Sequence, residues 1–78
     1  MAYLYQVASD IRRDGLGFEL IDDSENVLAE VFRCDKDNSL VFSSYVTGIP
    51  FVQIEALVQA ARSRLVHFED GSPLPPSL

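Results

Sequence analysis

The sequence predicts an α+β fold: a four-stranded antiparallel β-meander with one C-terminal helix packed on one face, ββββα in two layers. Three observations carry this. Apolar and polar residues alternate through most of residues 2–45, the period of a strand with two different faces. Polar, turn-forming clusters interrupt that stretch at Asp14-Gly15, Asp23-Ser24-Glu25-Asn26 and Asp35-Lys36-Asp37-Asn38. Beyond Pro50 the apolar spacing changes to that of a helix.

The first strand covers residues 2–8 with an extension towards Arg12, since Tyr3, Tyr5, Val7 and Ile11 share one parity and Gln6, Asp10 and Arg12 the other. Asp14-Gly15 predicts a two-residue type I′ hairpin, whose positive φ angles these residues tolerate. The second strand runs over 16–22, with Leu16, Phe18 and Leu20 alternating against Gly17 and Glu19. The third covers 27–33 and the fourth 39–45, each opened by its own polar turn. Thr47-Gly48-Ile49-Pro50 then breaks the pattern, and Pro50 suits the first helical position because its missing N–H has no partner there anyway. That placement puts Ile49, a poor capping residue, at the N-cap. The helix extends to about residue 66, with Ile54, Leu57, Val58, Ala61 and Leu65 on one stripe and Gln53, Gln59, Arg62, Ser63 and Arg64 on the other side. At about 25 Å it matches a seven-residue strand of about 23 Å, so one helix covers one sheet face. Residues 1–68 form the domain, and the proline-rich 69–78 form an extended or disordered tail.

The elements check one another. With each turn closed tightly, Ile11 faces Phe18, Leu20 faces Ala29, Phe18 faces Val31 and Val31 faces Phe42. One face then collects Tyr5, Val7, Phe18, Leu20, Ala29, Val31, Leu40 and Phe42. A one-residue slip at any turn would scatter this set over both faces.

The opposite face, which no helix covers, is only partly polar. It carries Leu4, Ala8, Ile21, Leu28, Phe32, Val41 and Tyr45, interrupted by Asp10, Arg12, Glu19 and Glu30. A contiguous apolar patch on a small protein marks an interaction surface. Ile21, Leu28, Phe32, Val41 and Tyr45 are its expected centre, and the simplest occupant is a second copy in a two-fold homodimer. Glu19 directly opposite Glu30 is unfavourable in this register, because facing like charges destabilise a strand pair. A bulge between them, or a basic residue from a partner, resolves the conflict.

Composition narrows the functional classes. Of the 78 residues, 47% are hydrophobic and 23% charged, the balance of a folded domain. A chain this short buries only roughly 60% of its unfolded surface and needs support. Cys34 and His67, the single cysteine and the single histidine, provide neither an internal disulfide nor a structural zinc site. Support is therefore expected from packing and self-association. The net charge of −6 and the lack of any basic run argue against nucleic acid, whose binding relies on Lys and Arg at phosphates. No run reaches the roughly 20 apolar residues that span a bilayer, and no secretory signal pattern opens the chain. The expected address is the cytoplasm, where an unpaired thiol stays reduced.

Chemistry-bearing motifs are weak. Gly15-Leu16-Gly17 lacks the third glycine, lysine and helix start of a phosphate loop. Cys34 has Asp35 beside it, unfavourable for a reactive thiolate, while Arg33 and Lys36 nearby leave that reading open, and His67 lies near the helix end with no partner in view. Asp22, Asp23, Glu25, Asp35 and Asp37 lack the spacing of a calcium loop. Pro73-Leu74-Pro75-Pro76 contains a minimal PxxP spacing. No catalytic, cofactor-binding or metal residues are assigned. The expectation is a non-enzymatic protein-interaction module that homodimerises, or docks to a protein partner, through its open sheet face. The alternative is an acidic inhibitor or regulator competing for a basic nucleic-acid-binding protein.

Overall fold

Four strands, β1 (Tyr3–Asp10), β2 (Gly15–Asp22), β3 (Val27–Cys34) and β4 (Ser39–Ser44), form one antiparallel sheet in the order β1-β2-β3-β4, followed by helix α1 (Phe51–Leu65). The computed structural model describes residues 2–65; the expected tail, its PxxP spacing and His67 lie outside the described residues.

The register agrees with the sequence pattern at two of the three hairpins. Leu20 faces Ala29, Phe18 faces Val31, and Val31 faces Phe42. At the first hairpin the expectation fails. Phe18 faces Val7 rather than Ile11, β1 ends at Asp10, and residues 11–14 form a wider turn. The cause is Asp10. Its Oδ1 accepts the backbone N–H groups of Arg12 and Arg13 at 3.0 and 3.1 Å, and its Oδ2 accepts Arg13 Nε at 2.6 Å. A carboxylate bonding the backbone two and three residues on offers the chain a turn in place of further ladder. Ile11 is left at the tip, 95% exposed. Because the displacement moves Phe18 by four residues along β1, an even number, the β1 side chains keep their predicted faces.

All three turns follow one plan. Each contains one non-glycine residue with positive φ: Asp14 (57°), Glu25 (65°) and Asn38 (58°). Asp22 Oδ1 accepts the N–H groups of Ser24 and Asn26, and Asp37 Oδ1 accepts the N–H and hydroxyl of Ser39. The acidic residues of these turns therefore hold their own backbone.

A bulge occurs where the sequence does not announce one. The β2–β3 register shifts after Leu20, so that Ile21 faces Val27 and Leu28 is the extra residue. Leu28 consequently joins the helix-side cluster of Phe18, Leu20, Ala29, Val31, Leu57, Ala61 and Leu65.

Helix α1 lies over the two central strands, β2 and β3. Leu20, Ala29, Leu57 and Ala61 have no exposed surface, and the two alanines let helix and sheet approach closely. Burial of each leucine contributes about 2 kcal/mol. Pro50 is the N-cap rather than the first helical residue, since its carbonyl accepts the N–H groups of Gln53 and Ile54 at 2.9 and 3.3 Å. At the other end Arg33 reaches up from the sheet, and its Nη1 donates to the Leu65 carbonyl at 3.0 Å. A cation there satisfies an orphan acceptor and opposes the negative end of the helix dipole.

The two glycines of β2 make room on the uncovered face. A Cβ on Gly17 would strike the Glu30 carboxylate, and one on Gly15 would collide with the Arg33 carbonyl oxygen and lie 2.7 Å from Phe32 Cζ. Gly17→Ala is therefore expected to destabilise the fold by about 1–3 kcal/mol in chemical denaturation, with Gly15→Ala costing more because backbone rather than a side chain must yield.

Candidate functional site: the uncovered sheet face

The face opposite α1 is organised around one buried carboxylate. Glu30 sits mid-strand in β3 with only 2% of its surface exposed. Such a group costs several kcal/mol unless it is paired and hydrogen-bonded. It has both. Arg13 donates Nη1 to Oε1 and Nη2 to Oε2, each at 3.0 Å, in a two-pronged fork, and the Tyr45 hydroxyl donates to Oε1 at 3.2 Å. The guanidinium also lies over the Phe32 ring, 3.9 Å from its centre, adding a cation–π contact. Gly17 is where the carboxylate rests.

The same network resolves the facing glutamates. Glu19 and Glu30 are direct cross-strand partners, and the bulge lies beyond them rather than between them. Glu30 takes Arg13, from the chain's own first turn, while Glu19 Oε1 accepts Gln6 Nε2 at 2.6 Å. The basic residue expected from a partner is supplied within the chain.

Of the five residues expected to centre an apolar interface, the fold leaves two open. Val41 and Tyr45 are 50% and 56% exposed. Ile21 and Phe32 stay on this face but are buried, Phe32 beneath Arg13; Leu28 has turned into the helix-side core. Charged replacements of Phe32 and Leu28, which the bare-patch reading expects the fold to accept, would therefore strike packed positions. The face is a polar clasp flanked by apolar ground rather than a continuous greasy surface.

Beside the clasp, between β3 and β4, runs an open groove of about 370 Å³. Phe32 and Val41 are its apolar lining, Ser39 and Ser43 its polar one, and Arg13 and Lys36 bring positive charge. Cys34 also borders it, within reach of Asp37, whose carboxyl is held below the ordinary carboxylate range mainly by the Ser39 hydroxyl and N–H.

Among the described residues, no three His, Cys, Asp or Glu side chains converge as metal ligands would, and no helix is long and apolar enough to cross a membrane. Gly15 and Gly17 lie inside β2 as packing positions, not in a phosphate-binding loop. Comparison with protein-family models, with curated proteins and with solved structures finds no match to this chain.

Arg13 is the residue that sequence reasoning missed. Its signal was present in Asp10-Ile11-Arg12-Arg13, an aspartate three residues before an arginine, but the reach to Glu30 depends on the width of the turn.

Arg13→Met leaves a buried carboxylate without its cation and is expected to cost about 2–4 kcal/mol, below the full penalty for a buried pair because Arg13 is itself half exposed. Combining it with Glu30→Gln should cost less than the two single losses together, as a denaturation double-mutant cycle would show. Tyr45 is pushed above the ordinary tyrosine value of about 10 by burial of its hydroxyl and by the Glu30 charge. A raised acid pKa stabilises the fold at lower pH and loses that contribution as pH rises through it. Ultraviolet titration, compared with Tyr45→Phe, should show this late phenol ionising together with loosening of the face. At the acid end the signs reverse. Asp10, held low by the Arg13 hydrogen bonds, and Asp22, held low by the Asn26 N–H and side chain, lend stability at neutral pH that is lost on acidification below the ordinary carboxylate range.

Proposed function

We propose that this chain is a non-enzymatic interaction module whose β3–β4 groove and neighbouring Tyr45 receive an apolar segment of a protein partner. The groove beside a preorganised clasp supports the reading best: half-exposed Val41 for apolar contact, serines for hydrogen bonding, and Lys36 and Asp37 at its rim. Arginine and aromatic residues held rigidly by their neighbours are the groups that dominate protein interfaces, because little side-chain freedom is lost on contact. The competing reading, an acidic decoy for a basic nucleic-acid-binding protein, draws on turns whose Asp22 and Asp37 carboxylates are engaged in holding those turns.

The test uses the exposed position that takes no part in the Glu30 network. The variant Val41→Asp should fold, since Val41 is half exposed and lies outside the buried cluster. Partners captured by the wild-type chain and then purified should bind it with at least about tenfold lower affinity. They should also perturb amide resonances of β3 and β4 in the wild type while leaving those of α1 in place. Unchanged affinity for Val41→Asp, or perturbation centred on α1, would overturn the proposal.

A further inference from the structure

The outer edge of β1 bears on a different question, how the chain meets a second copy of itself. In the order β1-β2-β3-β4, β1 pairs only with β2 among the described residues, so its other side presents a row of backbone N–H and C=O groups to which none of them adds a ladder. Sheet edges are ordinarily blunted by charge, proline, a bulge or a short strand. β1 has none of these along residues 3–9. It runs eight residues to Asp10, pairs with β2 without a register shift, and contains no charged residue before Asp10 in a chain of net charge −6. Leu4 on the uncovered face, and Tyr5 and Val7 on the helix face, are all close to half exposed.

We propose that two copies join β1 to β1, antiparallel about a two-fold axis through Gln6, forming one eight-stranded sheet with both helices on the same face. The register follows from the sequence of the strand. A two-fold axis perpendicular to the sheet keeps each side chain on its own face, so facing residues must be separated by an even number. Centred on Gln6, the axis pairs Tyr3 with Ser9, Leu4 with Ala8, and Tyr5 with Val7. Every exposed apolar side chain from Leu4 to Val7 then meets an apolar partner, and no charge meets a like charge. Moving the axis to Val7 sets Leu4 against Asp10, and moving it to Tyr5 sets Leu4 against Gln6. β4, the other edge, is shorter at six residues and offers fewer facing pairs. This edge lies apart from the β3–β4 groove, and pairing there leaves both grooves open on one side of the dimer.

Gln6 makes the proposal testable, because at the axis it faces its own copy. Gln6→Lys places two like charges directly opposite each other between subunits. Within one subunit the new ammonium can still reach Glu19, which Gln6 contacts in the native chain. Sedimentation of the full chain should give a dimer for the wild type and a monomer for Gln6→Lys, with unchanged circular dichroism. In a Cys34→Ser background, Gln6→Cys should oxidise readily to a covalent dimer, since facing Cα atoms in antiparallel strands lie about 4.5–5.5 Å apart, within disulfide range. Leu4→Cys, offset from its own copy, should not. A wild-type monomer at every concentration, a dimer that survives Gln6→Lys, or equal cross-linking at positions 4 and 6 would overturn the proposal. The Val41→Asp variant should keep the dimer mass, so failure of the groove reading and failure of this one are told apart.

Discussion

A charged carboxylate held in the middle of a sheet face sets the terms for the rest of this structure. Glu30 is buried on the side that no helix covers, so its compensation has to come from the sheet and its turns. Arg13 supplies it, and reaching Glu30 requires the first turn to be four residues wide rather than two. Asp10 holds that turn by bonding the backbone of Arg12 and Arg13 and the Arg13 side chain. Gly17 leaves space for the carboxylate, Gly15 for Phe32, and Phe32 provides the surface on which the guanidinium lies. Six residues on four separate segments thus serve one ion pair. The helix-side core could form without any of them, but the shape of the other face could not.

This dependence explains what was legible in the sequence. Side-chain parity was legible because burial on one face enforces it: Phe18, Leu20, Ala29 and Val31 alternate without interruption, and Leu57, Ala61 and Leu65 recur at helical spacing. The position of the helix followed from Pro50, with an error of one residue at the cap. The first turn was misjudged because Asp14-Gly15 is a strong local hairpin signal, and a side-chain network with a longer reach overrode it. Face assignment survived because the displacement was even. Leu28 was assigned to the wrong face because a bulge flips parity beyond it, and nothing in Val27-Leu28-Ala29 marks which residue will be extra.

The candidate site was less legible than the fold, for a related reason. Counting apolar residues on the uncovered face suggested a continuous patch, yet exposure depends on which neighbours lie across it. Phe32 is covered by a cation nineteen positions earlier in the sequence: Arg13 precedes β2 altogether. Val41 and Tyr45 stay about half exposed because they belong to the last strand and its exit, where only the Tyr45 hydroxyl reaches back to Glu30. Among the apolar residues that stay accessible, Val41 and Tyr45 lie beside the groove and Leu4, Tyr5 and Val7 along β1, the two places where the proposals above seat a partner.

The organising role of the ion pair can be observed directly in the Arg13 side chain. Nitrogen-15 NMR of the guanidinium reports whether it is fixed: a fork bonded to Glu30 and Asp10 should give a slowly exchanging Nε–H and separate Nη signals, because rotation is restricted. The account predicts that pattern in the native chain and its collapse in Glu30→Gln. A single averaged Nη signal with fast Nε–H exchange in the native chain, as for a free arginine, would contradict it.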